Sequence, residues 1–260
     1  MLIPKHRRAA AWVMSSTLCA SALRLACAGS YQKAHALAFA ATSLLLIPTL
    51  WRNCPLFGDI VTTFDTDHRE VWLTIDDGPN PIETPAILSV LKKHNARATF
   101  FAIGKNVVRW PELAKSIVDQ GHDIQNHTFS HQSSRFWMAT PHVAQNEISL
   151  ANEAIAAVTG IKPTLFRAPA GLANPFVHSM VEKAGLQMVG WSASGNDGIP
   201  HDSDKVIQKI YNVLSPGKII LLHESSLRHQ PCGKRARTLE NLLLKFEADG
   251  YKTTLPFLEK

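Results

Sequence analysis

The stretch VWLTIDDGP, residues 71–79, decides the fold. An apolar, β-forming run ends here in two adjacent carboxylates and a Gly-Pro turn, as a buried strand does where it enters a loop. From this point on, short apolar runs alternate with amphipathic stretches, which is typical of βα units repeated around a parallel sheet. The predicted strands are residues 71–75, 98–103, 123–126, 165–167, 186–191 and 218–223.

Amphipathic stretches between these runs are predicted to be helices, and several carry helix punctuation. Asn174 is a suitable N-cap before Pro175 in the first turn, and Gly185 follows the predicted end. Six βα units in about 190 residues favour a closed or nearly closed barrel over a small open sheet, while periodicity alone leaves closure undecided. The predicted helices are residues 83–94, 111–120, 142–158, 175–184, 203–214 and 235–249.

Composition and charge narrow the class of protein. The chain has 260 residues, of which 45% are hydrophobic, and this suffices for one sizeable core. Its 27 basic and 21 acidic residues give a net charge of +6, but residues 1–58 contain six bases and no acid, so the remainder is balanced. A balanced domain has no field that attracts phosphates, and we predict no nucleic-acid partner. Only one of the four cysteines, Cys232, lies beyond residue 54, which argues against a disulfide framework or a cysteine zinc site.

The N-terminal segment holds two apolar stretches, residues 9–29, interrupted by Arg24, and residues 34–51. Three interpretations are open. The first stretch is a cleaved signal peptide, with a basic start and the small triplet at residues 26–28. Alternatively, the two stretches form a membrane hairpin, whose basic N-terminus and following domain are both cytoplasmic by the positive-inside rule. In the third interpretation they are buried or interfacial helices of a soluble protein.

A charge-free run at residues 36–48 is unusual in a soluble surface helix, and it favours one or two membrane anchors. We therefore expect residues 1–54 to be a membrane-anchoring segment, residues 55–69 a linker, and residues 70–260 a single α/β domain. The expected location is the cell inner membrane. The sequence does not determine on which side of that membrane the domain lies.

Polar residues follow most of the predicted strands, at the edge of a parallel sheet where active sites form. Asp76 and Asp77 end the first strand; because neighbouring side chains in a strand face opposite sides, we expect them to have different roles. His127 and His131 follow the third strand, and a spacing of four places both imidazoles on one side of a helical turn, where they can bind one metal ion. Such pairs also occur in ordinary turns, so neither pair decides the function alone.

The later strand ends carry further residues suited to catalysis. Arg167 ends the fourth strand, Trp191 the fifth with Asp197 shortly after it, and His223 the sixth. Considered alone, Arg167 would be predicted to be a surface cation and Asp197 a turn residue. A complete set at successive strand ends is much less expected by chance than any single member, and it predicts an active site at this edge.

As an ordered set, these residues resemble the five motifs of the NodB-homology polysaccharide deacetylases of carbohydrate esterase family 4. The resemblance covers about residues 70–255 and implies an α/β fold, a distorted (β/α) barrel with fewer than eight strands, here preceded by a hydrophobic helical segment. It also implies a divalent metal and hydrolysis of an N-acetyl group on a sugar. The motifs are TIDDGP at 74–79, HTFSH at 127–131, RAPAG at 167–171, residues 191–197, and LLH at 221–223.

The resemblance assigns roles to individual residues. It implies Asp77, His127 and His131 as metal ligands, which leaves coordination positions open for water and substrate. Zinc is the first choice of metal, and cobalt, nickel, iron and manganese accept the same ligands. Asp76 is implied as the general base for the attacking water, and His223 as the general acid for the departing amine.

Other residues are implied to support these groups or to contact the sugar. Arg167 resembles the residue that pairs with the base and keeps it ionised, and Asp197 the residue that holds and charges the catalytic histidine. A backbone N–H near Ala170 is expected to stabilise the oxyanion together with the metal. Leu222 is expected to line the acetyl pocket. From residue type alone, Phe136, Trp137 or Trp191 is expected to form the wall of the groove.

Departures from the family pattern bear on the substrate. Ala170 stands where the third motif often has an aromatic residue, and Gly198 replaces the aromatic residue that commonly follows Asp197. Both changes reduce the aromatic platform expected beside a polymer sugar. Glu224 replaces the usual aspartate after His223, which is a mild substitution.

The leading hypothesis is a membrane-associated, metal-dependent hydrolase that removes N-acetyl groups from an amino sugar of a glycan or glycolipid. A second hypothesis keeps the metal but changes the bond to an O-acetyl ester or a formamide on a lipid-linked sugar. A third is a membrane-tethered glycan-binding module without activity. The predicted partners are therefore the glycan or glycolipid and the membrane, and no protein partner is predicted.

Overall fold

A curled sheet of seven parallel strands forms the centre of the domain in the computed structural model, which describes residues 4–198, 202–224 and 233–258. The strand order is β5-β4-β3-β2-β1-β7-β6, and a short β8 pairs with the start of β1 outside this path. The strands are β1 Glu70–Gly78, β2 Thr99–Ala102, β3 Asp123–Asn126, β4 Leu165–Phe166, β5 Gln187–Met188, β6 Ala193–Ser194, β7 Ile219–His223 and β8 Lys252–Thr253.

The central strand β1 is buried on both faces, which explains its nearly continuous apolar sequence. On one face Val71, Leu73 and Ile75 join the main hydrophobic core, which also includes residues of the surrounding helices. On the other face lie Trp72 and Thr74, inside the curl of the sheet. The strand therefore contributes to the hydrophobic core along its length, and its last residues place polar side chains on the inner face of the sheet.

The described α-helices are α1 Pro4–Cys27, α2 Tyr31–Leu50, α3 Glu83–Lys93, α4 Gly104–Arg109, α5 Pro111–Asp119, α6 Pro141–Thr159, α7 Pro175–Lys183, α8 Ser203–Tyr211 and α9 Lys234–Ala248. Helices α3 to α9 surround the sheet, and α1 and α2 precede it in the chain.

The six predicted strands and six predicted helices are all present, with ends that shift by up to three residues. Asn174 caps α7 as predicted, since its side chain accepts hydrogen bonds from the backbone of Phe176 and Val177. Within the described residues, five short elements were not predicted: α4 has six residues, β6 and β8 have two each, and two 3-10 helices, Phe136–Met138 and Pro169–Gly171, have three each. Elements this short have no hydrophobic period that a sequence pattern can reveal.

The predicted distorted barrel with fewer than eight strands is confirmed. In the part of the chain that the structure describes, an irregular segment rather than a further strand bridges the chain after β5 and the chain before β7. Val61 forms a parallel bridge with Val189, and Thr63 forms an antiparallel bridge with Lys218. Because Phe57 in the same segment is fully buried, residues predicted as a linker are packed against the domain.

The predicted N-terminal hydrophobic helices form an antiparallel hairpin, α1 and α2. Both are long and apolar enough to cross a membrane; their most apolar stretches have mean hydropathies of 1.3 and 1.4 and are only 17% buried. The two helices approach through small residues such as Ala11 and Ala41, and the Ser15 hydroxyl donates to the Ala41 carbonyl over 3.1 Å.

Candidate active site

Asp76 and Asp77 lie on the same side of the sheet, contrary to the alternation expected for a strand. The register between β1 and β2 shifts between Asp76 and Gly78, and Asp77 has a φ of 75°. This bulge turns the Asp77 side chain toward the site, while Asn106 of α4 donates to the Asp77 carbonyl over 3.1 Å. Both carboxylates therefore approach one imidazole, that of His127.

The predicted metal ligands Asp77, His127 and His131 converge, with ligand atoms all within 4.8 Å of one another. Asp77 Oδ1 lies 3.1 Å from His131 Nε2 and 3.5 Å from His127 Nε2. The two histidines lie in a loop rather than on the predicted helical turn, because Thr128 and His131 both have positive φ angles. Glu147 holds this loop by accepting hydrogen bonds from the backbone and hydroxyl of Ser130.

The chemistry of the three ligands fits a divalent cation. His127 Nδ1 lies 2.9 Å from the Arg167 carbonyl, which can only accept, so Nδ1 donates this hydrogen bond and Nε2 is the nitrogen directed to Asp77. Burial and the neighbouring His127 lower the pKa of His131 to about 4, so this imidazole is neutral at pH 7. Burial alone would raise the pKa of Asp77, but the hydrogen bond from His127 and the nearby histidines hold it well below its usual range. One carboxylate and two imidazoles are a donor set for zinc and similar metals.

Arg167 binds Asp76 in the interior of the barrel. Its Nη1 donates to Asp76 Oδ1 and to the Thr74 hydroxyl, each over 2.7 Å, and its Nη2 donates to the Gly190 carbonyl. The guanidinium also lies over the ring of Phe101, with Cζ 4.1 Å from the ring centre. Because Arg167 occupies Oδ1, the second oxygen of Asp76 is the one directed to the triad, 3.7 Å from His127 Nε2.

His223 lies beside Asp76 at the end of the neighbouring strand, in direct register. Its Nδ1 donates to Asp197 Oδ1 over 2.7 Å, and its backbone N–H donates to Asp197 Oδ2. Burial alone would lower the pKa of His223, but Asp197 outweighs it and raises the pKa to about 9, so the imidazolium form predominates at pH 7. The other nitrogen, Nε2, then carries a proton that can be transferred.

Arg235, in the first turn of α9, completes this group and was not predicted from the sequence. Its Nη1 donates to the His223 carbonyl over 2.7 Å, and its Nη2 donates to the Asp197 carbonyl over 3.0 Å. Nη1 also lies 3.3 Å from Asp197 Oδ2. An arginine at the start of a helix is ordinarily predicted to be exposed to solvent, and no sequence motif indicates that Arg235 is buried.

Glu224 is buried directly after His223. Its backbone N–H donates to the Asp76 carbonyl, and its Oε2 accepts from the Thr84 hydroxyl and from the Asn80 backbone. Among the described residues, its Oε1 has no hydrogen-bond partner. Burial raises the pKa of Glu224 to about 8, so this carboxyl is mainly neutral at pH 7.

The three residues predicted to contact the substrate lie in different places. Ala170 is exposed in a helical turn after β4, with a φ of 56°. Trp191 is half-buried and lies over Arg167, with the guanidinium 5.8 Å from a ring centre. Leu222 belongs to the core between the sheet and the helices, whereas the alternation along β7 puts Leu221 on the same face as His223. Leu221 is thus the better candidate for an acetyl pocket, and strand alternation alone could have selected it.

The chain is similar in sequence to known polysaccharide deacetylases. The family model for polysaccharide deacetylases matches residues 64–189, a range that includes the metal-binding candidates and Asp76 but ends before His223. A chitooligosaccharide deacetylase from Bradyrhizobium sp. is 39% identical over 170 residues, 65% of this chain and 74% of that protein.

Solved structures agree with the fold. The Bc1960 peptidoglycan N-acetylglucosamine deacetylase superposes with a TM-score of 0.68 at 27% identity, over 75% of this chain and 89% of that one. A family 4 pseudoenzyme from Bacillus anthracis gives a TM-score of 0.67 at 25% identity, over 75% and 66% of the two chains. Because a pseudoenzyme shares the fold, the assignment of roles depends on the individual residues.

Proposed function

Because this chain belongs to the polysaccharide deacetylase family, we propose that it hydrolyses the N-acetyl group of an amino sugar, with Asp76 as general base and His223 as general acid. The observation that carries the proposal is the register of β1 and β7, which places these two residues side by side beside the His and Asp triad. Chitooligosaccharides and peptidoglycan, on which relatives act, are the first substrates to test.

The proposed reaction uses the two groups in opposite senses. A water molecule adds through its oxygen to the acetyl carbonyl carbon, and Asp76 Oδ2 takes one of its protons. His223 then gives its Nε2 proton to the amide nitrogen as the carbon–nitrogen bond breaks, because an amine leaves far more easily than an amide anion. The products are acetate and the free amino sugar, and both side chains regain their starting states by proton exchange with solvent.

Asp77, His127 and His131 are the residues proposed to hold a divalent metal, with zinc as the first choice. Such an ion supplies Lewis-acid polarisation of the carbonyl and makes water more acidic. The neutral state of His131 and the hydrogen bond from His127 to the Arg167 carbonyl support this assignment. The backbone near Ala170 and the side chains of Trp191 and Leu221 are proposed to contact the acetylated sugar.

The test is acetate release from chitooligosaccharides by the full chain after chelation and after addition of one metal at a time. We expect activity to disappear on chelation and to return with zinc or another transition metal. His131→Ala should abolish both metal binding and activity, whereas the matched control His142→Ala, an exposed histidine of α6, should behave as wild type. Undiminished acetate release from metal-free protein would contradict the metal assignment.

The N-terminal hairpin is proposed to anchor the chain in the inner membrane, with residues 1–54 as the anchor and residues 70–260 as the deacetylase domain. Mean hydropathy and the low burial of both helices support this. A reporter active only in the periplasm, and another active only in the cytoplasm, fused after Lys260 would establish the side. A hairpin requires the cytoplasmic reporter to be active if the basic N-terminus is inside.

A further inference from the structure

The end of α2 is joined almost directly to the edge of the active site. Only two residues, Trp51 and Arg52, lie between Leu50 and Asn53, and these three Cα–Cα steps span at most about 11 Å. The Asn53 backbone donates to the Gly171 carbonyl over 3.1 Å, and its side-chain amide donates to the Trp191 carbonyl over 3.0 Å. Trp191 lies over Arg167, the partner of the proposed base. The hairpin and the catalytic centre are therefore connected through directly contacting residues.

The first helix of the hairpin is fixed to the same side of the domain. Arg7 donates to the Pro55 carbonyl and pairs with Asp59, while Arg8 donates to the Phe57 carbonyl and pairs with Glu182 of α7. These contacts attach α1 at its start, independently of the short connection after α2. The hairpin is held to the domain at two places.

An aromatic contact shows how deep the domain reaches along the hairpin. The rings of Trp12 and Phe176 lie 5.5 Å apart, and Trp12 is eight residues into α1, about 12 Å along its axis. Phe176 is in the first turn of α7, five residues after Gly171 at the edge of the site. Trp51, at the end of α2, is 69% exposed. Exposed tryptophans at helix ends are typical of the membrane–water interface.

The lengths of the helices agree with a bilayer. Their 24 and 20 residues extend about 36 and 30 Å, against a hydrocarbon core of about 30 Å and a polar layer of some 5–7 Å on each side. If Leu50 marks the boundary of the hydrocarbon core, the edge of the site at Gly171 and Trp191 lies in or just above the polar layer. A sugar attached to a lipid is held at that depth, whereas a soluble or wall-bound sugar is not.

We propose that this site acts at the membrane surface, on an N-acetylated amino sugar carried by a lipid of the same membrane. The inference rests on the proposed deacetylase function and adds the class of substrate. Confinement of both enzyme and substrate to one surface raises the effective concentration of the sugar at the site without any new contact. The attachments at Asn53, Arg7 and Arg8 serve to keep the site at the depth of the lipid head groups.

The test compares one disaccharide in two forms, free di-N-acetylchitobiose and the same disaccharide linked to a dialkylglycerol, with the full chain reconstituted in lipid vesicles. At equal total concentration, we expect acetate release from the lipid-linked form to be faster by at least about tenfold. Faster release from the free disaccharide would overturn the inference while leaving the deacetylase function intact. Release from neither form would instead contradict the proposed function.

A designed variant tests the placement itself. It carries a twenty-residue Gly-Ser insertion between Trp51 and Arg52 together with Arg7→Gln and Arg8→Gln, which frees the domain to move some 25 Å from the hairpin. The matched control carries the same arginine substitutions and the same insertion after Gly29, at the opposite end of the hairpin. We expect the first variant to lose the preference for the lipid-linked sugar and the control to keep it, with equal rates on the free disaccharide. An unchanged preference in the first variant would overturn the proposal.

Discussion

The proposed base and the proposed acid are held by opposite kinds of partner. Asp76 receives its hydrogen bond from Arg167, a fully buried cation, whereas His223 donates to Asp197, a buried anion. The base arm, Asp76 with Arg167, is built from strand ends inside the barrel. The acid arm, His223 with Asp197 and Arg235, joins a strand, a loop and the first turn of α9. The site thus pairs a carboxylate with a cation and an imidazole with an anion side by side, as the proposed acid–base reaction requires.

The largest effect is expected on the base arm. Asp76→Asn keeps the shape of the side chain but removes the proton acceptor, so acetate release from any substrate should fall by about 10³-fold. Metal content and the circular dichroism spectrum should remain those of the wild type, because Asp76 is not among the three proposed ligands. Near-normal rates in this variant would show that Asp76 is not the general base.

A smaller and substrate-dependent effect is expected on the acid arm. His223→Gln should reduce hydrolysis of an acetylated amino sugar by about 10²-fold or more, because the leaving amine must be protonated. For an aryl acetate the loss should be less than about tenfold, since a phenolate leaves without a proton. Rates for both substrates should be measured on the same preparation. Equal losses would show that His223 does not act as the acid.

Most residues of the base arm and of the proposed metal-binding triad could be predicted from the sequence. Asp76, Asp77, the two loop histidines and Arg167 follow predicted strands, and the structure brings all five together because parallel strands end at one edge. The bulge at Asp77 was not predicted, since a positive φ in a non-glycine residue has no period or composition that marks it.

Only part of the acid arm could be predicted from the sequence, for a different physical reason. Asp197 and His223 were predicted, but Arg235 is twelve residues after His223 and enters the site through the packing of α9 on the sheet. Tertiary contacts of this kind depend on where a helix lies, not on its own sequence. The leucine that faces the site, by contrast, could have been predicted from the sequence. The two-residue period of β7 places Leu221, and not Leu222, on the same face as His223.

The pH dependence of kcat/KM distinguishes the contributions of Asp197 and Arg235 to the acid arm. Asp197 raises the pKa of His223 to about 9, and the acid works only in its protonated form, so activity should fall as the pH rises through that range. Asp197→Asn removes the negative charge, lowers the pKa of His223 and should move the alkaline limb of kcat/KM to lower pH by at least about one unit.

Arg235→Gln should act in the other direction. Loss of this cation leaves Asp197 with a less compensated charge, so the alkaline limb should stay or move to higher pH while the rate falls through looser positioning of His223. Complete kcat/KM profiles of the three proteins, each with the same metal, provide the measurement. A shift of both variants in the same direction would mean that Arg235 does more than position Asp197.

The smallest effect concerns Glu224, which lies where the two arms meet. It follows His223 in the chain, and its backbone N–H donates to the Asp76 carbonyl. Because burial raises its pKa to about 8, the folded protein keeps a proton on this carboxyl that the unfolded chain releases near pH 4.5. Its contribution to the free energy of unfolding is therefore fully present below about pH 4.5 and is lost as the pH rises to about 8.

Glu224→Gln replaces the neutral carboxyl by a neutral amide of similar shape. The melting temperature of the full chain in detergent should then decline less between pH 5 and pH 8.5 than that of the wild type, while acetate release at pH 6 stays close to normal. Glu153→Gln, at an exposed position of α6, is the matched control and should leave the decline unchanged. A steeper decline in the Glu224 variant would mean that this carboxyl is ionised in the folded protein, and that its negative charge contributes to the field around His223 and Asp77.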